Sequence, residues 1–226
     1  MSLLNSAAVV VERFYGLSPE FDRIVHRVIE SIGTEKLFEL KKDFHTRLRI
    51  TQAHPDRPEL VEYLWDFFYD WCIFEQKVPD SLSGLSPGDI SIWERLKSSA
   101  NRGVFLVQKM GSESVKLKEL YSGKSLVAPV SSAGEFFGIS KGDLVECRVL
   151  VPAADGKATA CHLVRRPCYH PVDVHDYLIK KVRQFKKAQD YSTYQNWLWL
   201  VVGMYLKHRI YAHMPVEKIY DDNSRI

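Results

Sequence analysis

The chain has 226 residues, 46% apolar and 26% charged, a balance that excludes a disordered chain and fits a soluble globular protein able to bury a core. Its 31 Lys and Arg against 28 Asp and Glu leave a formal net charge of +3, which excludes the strong uniform field of a highly basic protein. Four cysteines (Cys72, Cys147, Cys161, Cys168) are too few and too unevenly spaced for a disulfide framework, so the expected compartment is reducing, the cytoplasm.

In chain order, Met1 to Val11 carries an apolar run with no basic residue before it and no cleavage signature, which argues against a secretory signal. Ser18-Pro19 reads as a cap and first-position proline. Phe21, Ile24, Val25, Val28, Ile29 and Ile32 then recur at helical spacing until Gly33 stops the run. Thr34 opens a second helix with Leu37, Phe38, Leu40, Phe44 and Leu48 as its apolar stripe. After a turn at His54 to Pro58, Glu59 to Phe74 forms an unusually aromatic helix expected to lie against the core. A loop over Val78 to Gly88 leads to a shorter helix over Asp89 to Ser99.

From Val104 to Arg166 the periodicity changes to two. Alternating segments Val104–Met110, Ser114–Tyr121, Lys124–Ala128, Asp143–Val151 and Lys157–Val164 are separated by Gly, Pro, Asn, Asp and Ser, the pattern of a small antiparallel β module turning at Gly123, Gly142 and Gly156. Period two places Val145, Cys147, Val149 and Val151 toward its core, with Glu146, Arg148 and Leu150 on the other face. Beyond it, Pro171 opens a helix to about Ala188, with Val174, Leu178, Val182 and Phe185 inward. A last helix spans about Thr193 to His208, and its greasiest stretch, Trp197 to Leu206, is about half of what a bilayer span requires. The tail from Met214 is polar and expected to be mobile.

The predicted class is α+β: a helical region over 1–101, a small antiparallel barrel or curved sheet over 102–167, and helices over 168–213 packed back on it. The tail covers 214–226. The absence of a Pro/Gly-rich linker predicts one compact unit.

The order Tyr63 to Trp71, a helix, Gly103 to Lys109, Leu117 to Lys124 and Ile139 to Val149 is similar to uncharacterised bacterial proteins associated with the SEC-C motif. These share an acidic-aromatic helix, a leucine-rich strand end closing on Gly, and a Gly-Asp entering a strand that carries Arg. The resemblance covers roughly residues 60 to 166 and implies no established activity. The Cys-rich zinc motif itself is missing from this chain, so the resemblance implies no zinc.

Three constellations could carry chemistry. Cys161, His162, Cys168, His170 and His175 fall within fifteen residues, and a set drawn from Cys161, Cys168, His170 and His175 could close a tetrahedral zinc site. Adjacent Cys161 and His162 on a strand would, however, point to opposite faces. Glu62, Asp66 and Asp70, at i, i+4 and i+8, stack on one face of the aromatic helix, where carboxylates can share a divalent cation or act as an acid and base pair; an amphipathic helix needs a polar face in any case.

The third constellation is cationic. Residues 162–226 carry 11 Lys and Arg against 6 Asp and Glu, and residues 1–100 carry 12 against 16. Arg165 and Arg166 leave the β module, followed by Lys180, Lys181, Arg183, Lys186 and Lys187 on one helix, with His162, Tyr169 and His170 as possible stacking groups. Such an array suits a phosphate-bearing ligand, nucleic acid or nucleotide, although the same charges can simply solvate a helix.

No nucleotide loop, catalytic triad or closed metal motif occurs, so no catalytic residue and no cofactor are assigned. The expected function is a non-enzymatic cytoplasmic binding or adaptor protein with a basic, anion-facing surface. The alternatives are a metal-dependent enzyme using the helix carboxylates or the Cys/His cluster, and a protein-interaction module. No membrane partner is expected.

Overall fold

The computed structural model describes residues 19–50, 58–75, 85–130, 138–151 and 160–224, with side chains from 26 in the first segment and from 64 in the second. Ser18, the turn at 54–57, most of the loop after Val78, Gly156 and residues 157–159 lie outside them. The described residues form an α+β protein with a nearly closed antiparallel sheet. The chain divides into two compact units where one was expected: residues 1–46 with 51–100, and residues 47–50 with 101–226.

The first unit is helical: α1 (Pro19–Ile32), α2 (Thr34–Leu48, whose last two residues belong to the second unit), α3 (Pro58–Phe74) and α4 (Pro87–Ser99). Gly33 separates the first two at φ +74, a conformation that glycine adopts without a Cβ penalty. Val28, Ile29 and Ile32 of α1 and Leu40 and Phe44 of α2 are buried. Phe38, expected inward, is 75% exposed, because the inward arc of α2 is set by Leu40 and Phe44 four residues apart. The aromatic helix α3 buries Phe67, Phe68, Tyr69 and Trp71, and its Phe68 ring lies 5.7 Å from that of Phe44. Helix α4 begins at Pro87 rather than Asp89. Ser86 and Asp89 close a reciprocal capping box, with the Asp89 N–H donating to Ser86 Oγ (3.1 Å) and the Ser86 N–H to Asp89 Oδ2 (3.3 Å).

The second unit is built on β1 (Ala100–Met110), β2 (Ser114–Glu119), β3 (Ser125–Pro129), β4 (Leu144–Leu150), β5 (His162–Leu163) and β6 (Cys168–Tyr169). The strand order is β3-β2-β1-β4-β5, with β6 also on β4. A bridge between Val127 and Ala160, with the Cys161 N–H donating to the Val127 carbonyl (2.9 Å), brings β3 back to the end of the path. Phe105, Val107, Leu117, Leu126, Val145, Cys147 and Val149 fill the interior, as period two predicts, and Val151 packs against them.

The sheet's other face is buried too. Val104 of β1 and Leu144 of β4 pack with α5 (His175–Ala188), α6 (Tyr191–Ile210) and α7 (Val216–Ile219) through Leu178, Val182, Leu198, Val201 and Ile219. Each fully buried Leu, Val or Ile contributes about 1.5–3 kcal/mol. The segment after Met214 is therefore packed rather than a loose tail. Ile219 is fully buried and Tyr220 3% exposed, while the Asp222 carboxylate accepts hydrogen bonds from Tyr177 Oη (2.7 Å) and Trp197 Nε1 (3.2 Å).

Candidate anion-binding surface

Helix α5 is amphipathic by sequence. Leu178 and Val182 are buried, Tyr177, Ile179 and Phe185 are half-buried, and Lys180, Arg183, Lys186 and Lys187 are exposed. Gln189 ends the helix at φ +54, its N–H shared between the Lys186 and Phe185 carbonyls, and Lys186 and Lys187 complement the helix dipole there. Lys180, Arg183 and Lys187 stand at i, i+3 and i+7 and so share one face. None of the four exposed cations makes an ion pair among the described residues.

The other residues expected on this surface divide. Lys181 pairs with Asp222, whose carboxyl is held below its ordinary value: burial raises it, and the hydrogen bonds from Lys181 and Tyr177 outweigh that. Arg166 is exposed. Tyr169 is half-buried, packed against the barrel interior. His162 is exposed on β5. A like-charged pair, Lys109 opposite Lys116 across β1 and β2, sits beside the register shift after Val107 and adds positive charge to the outside of the barrel.

Arg165 leaves the surface set altogether. It is 3% exposed, and its Nη2 contacts both Glu146 oxygens at 2.9 and 2.7 Å. Arg102 Nε reaches Glu146 Oε1 at 2.7 Å, and its guanidinium lies 3.3 Å over the Trp199 ring. The outward positions of β1 and β4 face helices rather than water, so these charges are buried and must pair. Burial alone would raise the Glu146 carboxyl, but the two guanidiniums and their hydrogen bonds hold it at about 2.

The Cys/His cluster is dispersed. Cys161 lines the barrel, its thiol pushed up to about 12 by burial. Cys168 lies 3.7 Å from Arg165 Nη1, and its thiol is also raised by burial. His170 donates to or accepts from Tyr220 Oη through Nδ1 (3.0 Å), and His175 Nε2 lies 3.0 Å from the His170 carbonyl oxygen. Among the described residues no three His, Cys, Asp or Glu side chains converge as a metal site. Of the acidic stripe on α3, Asp66 is half-buried and Asp70 fully buried, while the Glu62 side chain lies outside the described residues.

One arrangement escaped the sequence reading. The Glu119 carboxylate, 3% exposed, accepts hydrogen bonds from the Tyr121 N–H (2.9 Å), the Ser122 N–H and Tyr194 Oη (3.1 Å), and Tyr194 Oη in turn accepts from the Val104 N–H (3.0 Å). Gly103 leaves the room: a Cβ there would lie 2.7 Å from Glu119 Oε1. Gly103→Ala should therefore displace Glu119, strip the turn of its acceptor and destabilise the unit by about 1–3 kcal/mol, measured by urea unfolding. The missed signal was a glycine inside a strand, a mark of close approach.

Compared with known protein families, with curated proteins and with solved structures, the chain matches none.

Proposed function

We propose that this protein is a non-enzymatic cytoplasmic binding protein whose helix α5 presents a cationic face to a phosphate-bearing ligand, nucleic acid or nucleotide. The observation that carries the reading is the set Lys180, Arg183, Lys186 and Lys187: four exposed cations on one helix, none in an ion pair among the described residues. Burial of Arg165 against Glu146 narrows the surface to the helix and leaves its charge density intact. The four cysteines are free and buried, which supports a reducing compartment, and no described helix is long and apolar enough to cross a membrane. The metal-dependent alternative has less support, because among the described residues no three His, Cys, Asp or Glu side chains converge.

Titrating a fluorescein-labelled oligonucleotide, with ATP as competitor, at low ionic strength tests the reading. The wild-type protein should bind, and K180A/R183A/K187A should weaken binding at least about tenfold, since hydrogen bonds to charged groups contribute about 1.5–3 kcal/mol each. Binding of neither oligonucleotide nor ATP would contradict the reading and leave protein interaction as the better one.

A further inference from the structure

We infer that the anion recognised by α5 is single-stranded nucleic acid, and that Tyr191, seated on Tyr121, is the platform on which one of its bases stacks. The inference rests on the α5 reading and adds to it the ligand class and the residues that read the bases. Three large apolar side chains stand out into solvent among the described residues, Phe38, Val172 and Tyr191, and Tyr191 is 48% exposed. It is the one of the three that packs against a cluster of further rings. It meets half-buried Tyr121 edge-on (centroids 5.3 Å apart, interplanar angle 62°), and Tyr121 stacks on buried Tyr194 at 4.8 Å with an interplanar angle of 16°.

The rings beneath Tyr191 are anchored, and Tyr191 sits on a capped helix start. Tyr194 is anchored through its hydroxyl to Glu119 and the Val104 N–H. The Tyr121 backbone is held by Glu119, whose carbonyl also accepts the Gly123 N–H (2.9 Å) at φ +80. Tyr191 begins α6, where the Asp190 carboxylate caps the helix by accepting the Thr193 N–H (2.9 Å) and so spends its charge on the helix start. A rigid ring loses little freedom on binding, which favours affinity.

Exposed cations adjoin the rings in the chain. Lys186 and Lys187 end α5 just before the tight turn in which the Asp190 N–H returns to the Phe185 carbonyl (3.1 Å), and the Phe185 ring lies 6.1 Å from that of Tyr194. Exposed Lys124 follows the hairpin turn that carries Tyr121. An exposed aromatic ring beside backbone-tracking cations is what binding of unpaired strands requires, because every base has a π face and only an unpaired base can leave its neighbours to use the ring. Inorganic polyphosphate would satisfy the cations and leave the rings unused.

The test compares three probes of equal length against the full chain: a thymidylate 12-mer, a uridylate 12-mer, and an abasic deoxyribose-phosphate 12-mer with the same backbone charge. The base-bearing strands should bind at least about 10-fold more tightly than the abasic one, since stacking on an aromatic contributes about 1–3 kcal/mol per base. Y191A should erase that difference while leaving affinity for the abasic strand within about 2-fold, and Y191F should restore it. Irradiation with a 5-bromouracil-substituted strand should cross-link the peptide carrying Tyr121 or Tyr191 in the wild-type protein, a readout independent of variant stability. Equal affinity for base-bearing and abasic strands, or a base preference that survives in Y191A, would overturn the stacking platform while the α5 reading stood. Failure of all three probes to bind would overturn both.

Discussion

Replacing Gly203 by alanine should destabilise the second unit by about 3 kcal/mol or more. A Cβ at this position in α6 would lie 2.0 Å from the carbonyl oxygen of Leu48 and 2.9 Å from its carbonyl carbon. Both are backbone atoms, so no side-chain rotation relieves the overlap, and residues 47–50 or the helix must shift. In a free helix alanine would be the better residue by about 1 kcal/mol, so the clash alone sets the sign. Surrounding residues cannot yield easily, since Val201, Val202, Met204, Tyr205 and Leu206 are all buried. Gly123→Ala supplies the comparison. It strains a backbone at φ +80 but meets nothing within 4 Å, and should lose only about 1–2 kcal/mol. Urea unfolding of the two variants measures both; a Gly203→Ala protein as stable as Gly123→Ala would refute the close approach.

The second large effect is expected at Glu146. Glu146→Ala leaves Arg102 and Arg165 buried beside an apolar methyl and should destabilise by about 3–5 kcal/mol. The same centre makes the protein acid-sensitive. Glu146 titrates at about 2 in the fold against an ordinary 4.5, so its contribution is full above pH 4.5 and is lost as pH falls toward 2. His170 is held at about 3 against 6.5, chiefly by desolvation, with His175, Arg165 and His208 acting in the same direction and Glu146 opposing. Below pH 6.5 the unfolded chain gains a proton that the folded chain refuses, so stability falls from 6.5 toward 3. Denaturant unfolding at pH 7, 5.5 and 4.5 should therefore show a decline to which this group contributes about one proton, about 1.4 kcal/mol per pH unit once well below 6.5, with His45 and His208, also lowered by burial, adding to it. His170→Phe should remove that one-proton share and leave the rest of the decline in place.

Local chemistry made most helix boundaries legible. Pro19, Gly33, Thr34 and the aromatic run to Phe74 lie where helices start, break and end, and α4 starts two residues before Asp89 because Ser86 caps it. The interior of β4 was legible for the same reason, since Val145, Cys147 and Val149 alternate with charged residues. Alternation could not reveal that Glu146 and Arg148 are buried as well, because it reports which residues share a face and not what covers that face. The partners of Glu146 lie 44 and 19 residues away, beyond any local pattern, so Arg165 read as a surface cation. The carboxyl-terminal segment misled through its polarity: Ile219, Tyr220 and Asp222 anchor it at three points amid exposed residues. On the basic surface the cations of α5 were legible from helical spacing, and the rings beside them were not, since Tyr121 and Tyr191 meet only through the fold.

The most direct measurement is the salt dependence of oligonucleotide binding by the wild-type protein and by K180A/R183A/K187A. For a single strand the slope of log K against log salt is about −0.7 per phosphate neutralised, so losing three contacts should make it shallower by about 2. The account predicts a steep slope for the wild type and that reduction in the variant, with affinity lowered uniformly across sequences. Identical slopes and affinities for the two proteins would contradict it, leaving the cations of α5 as a merely solvated helix face.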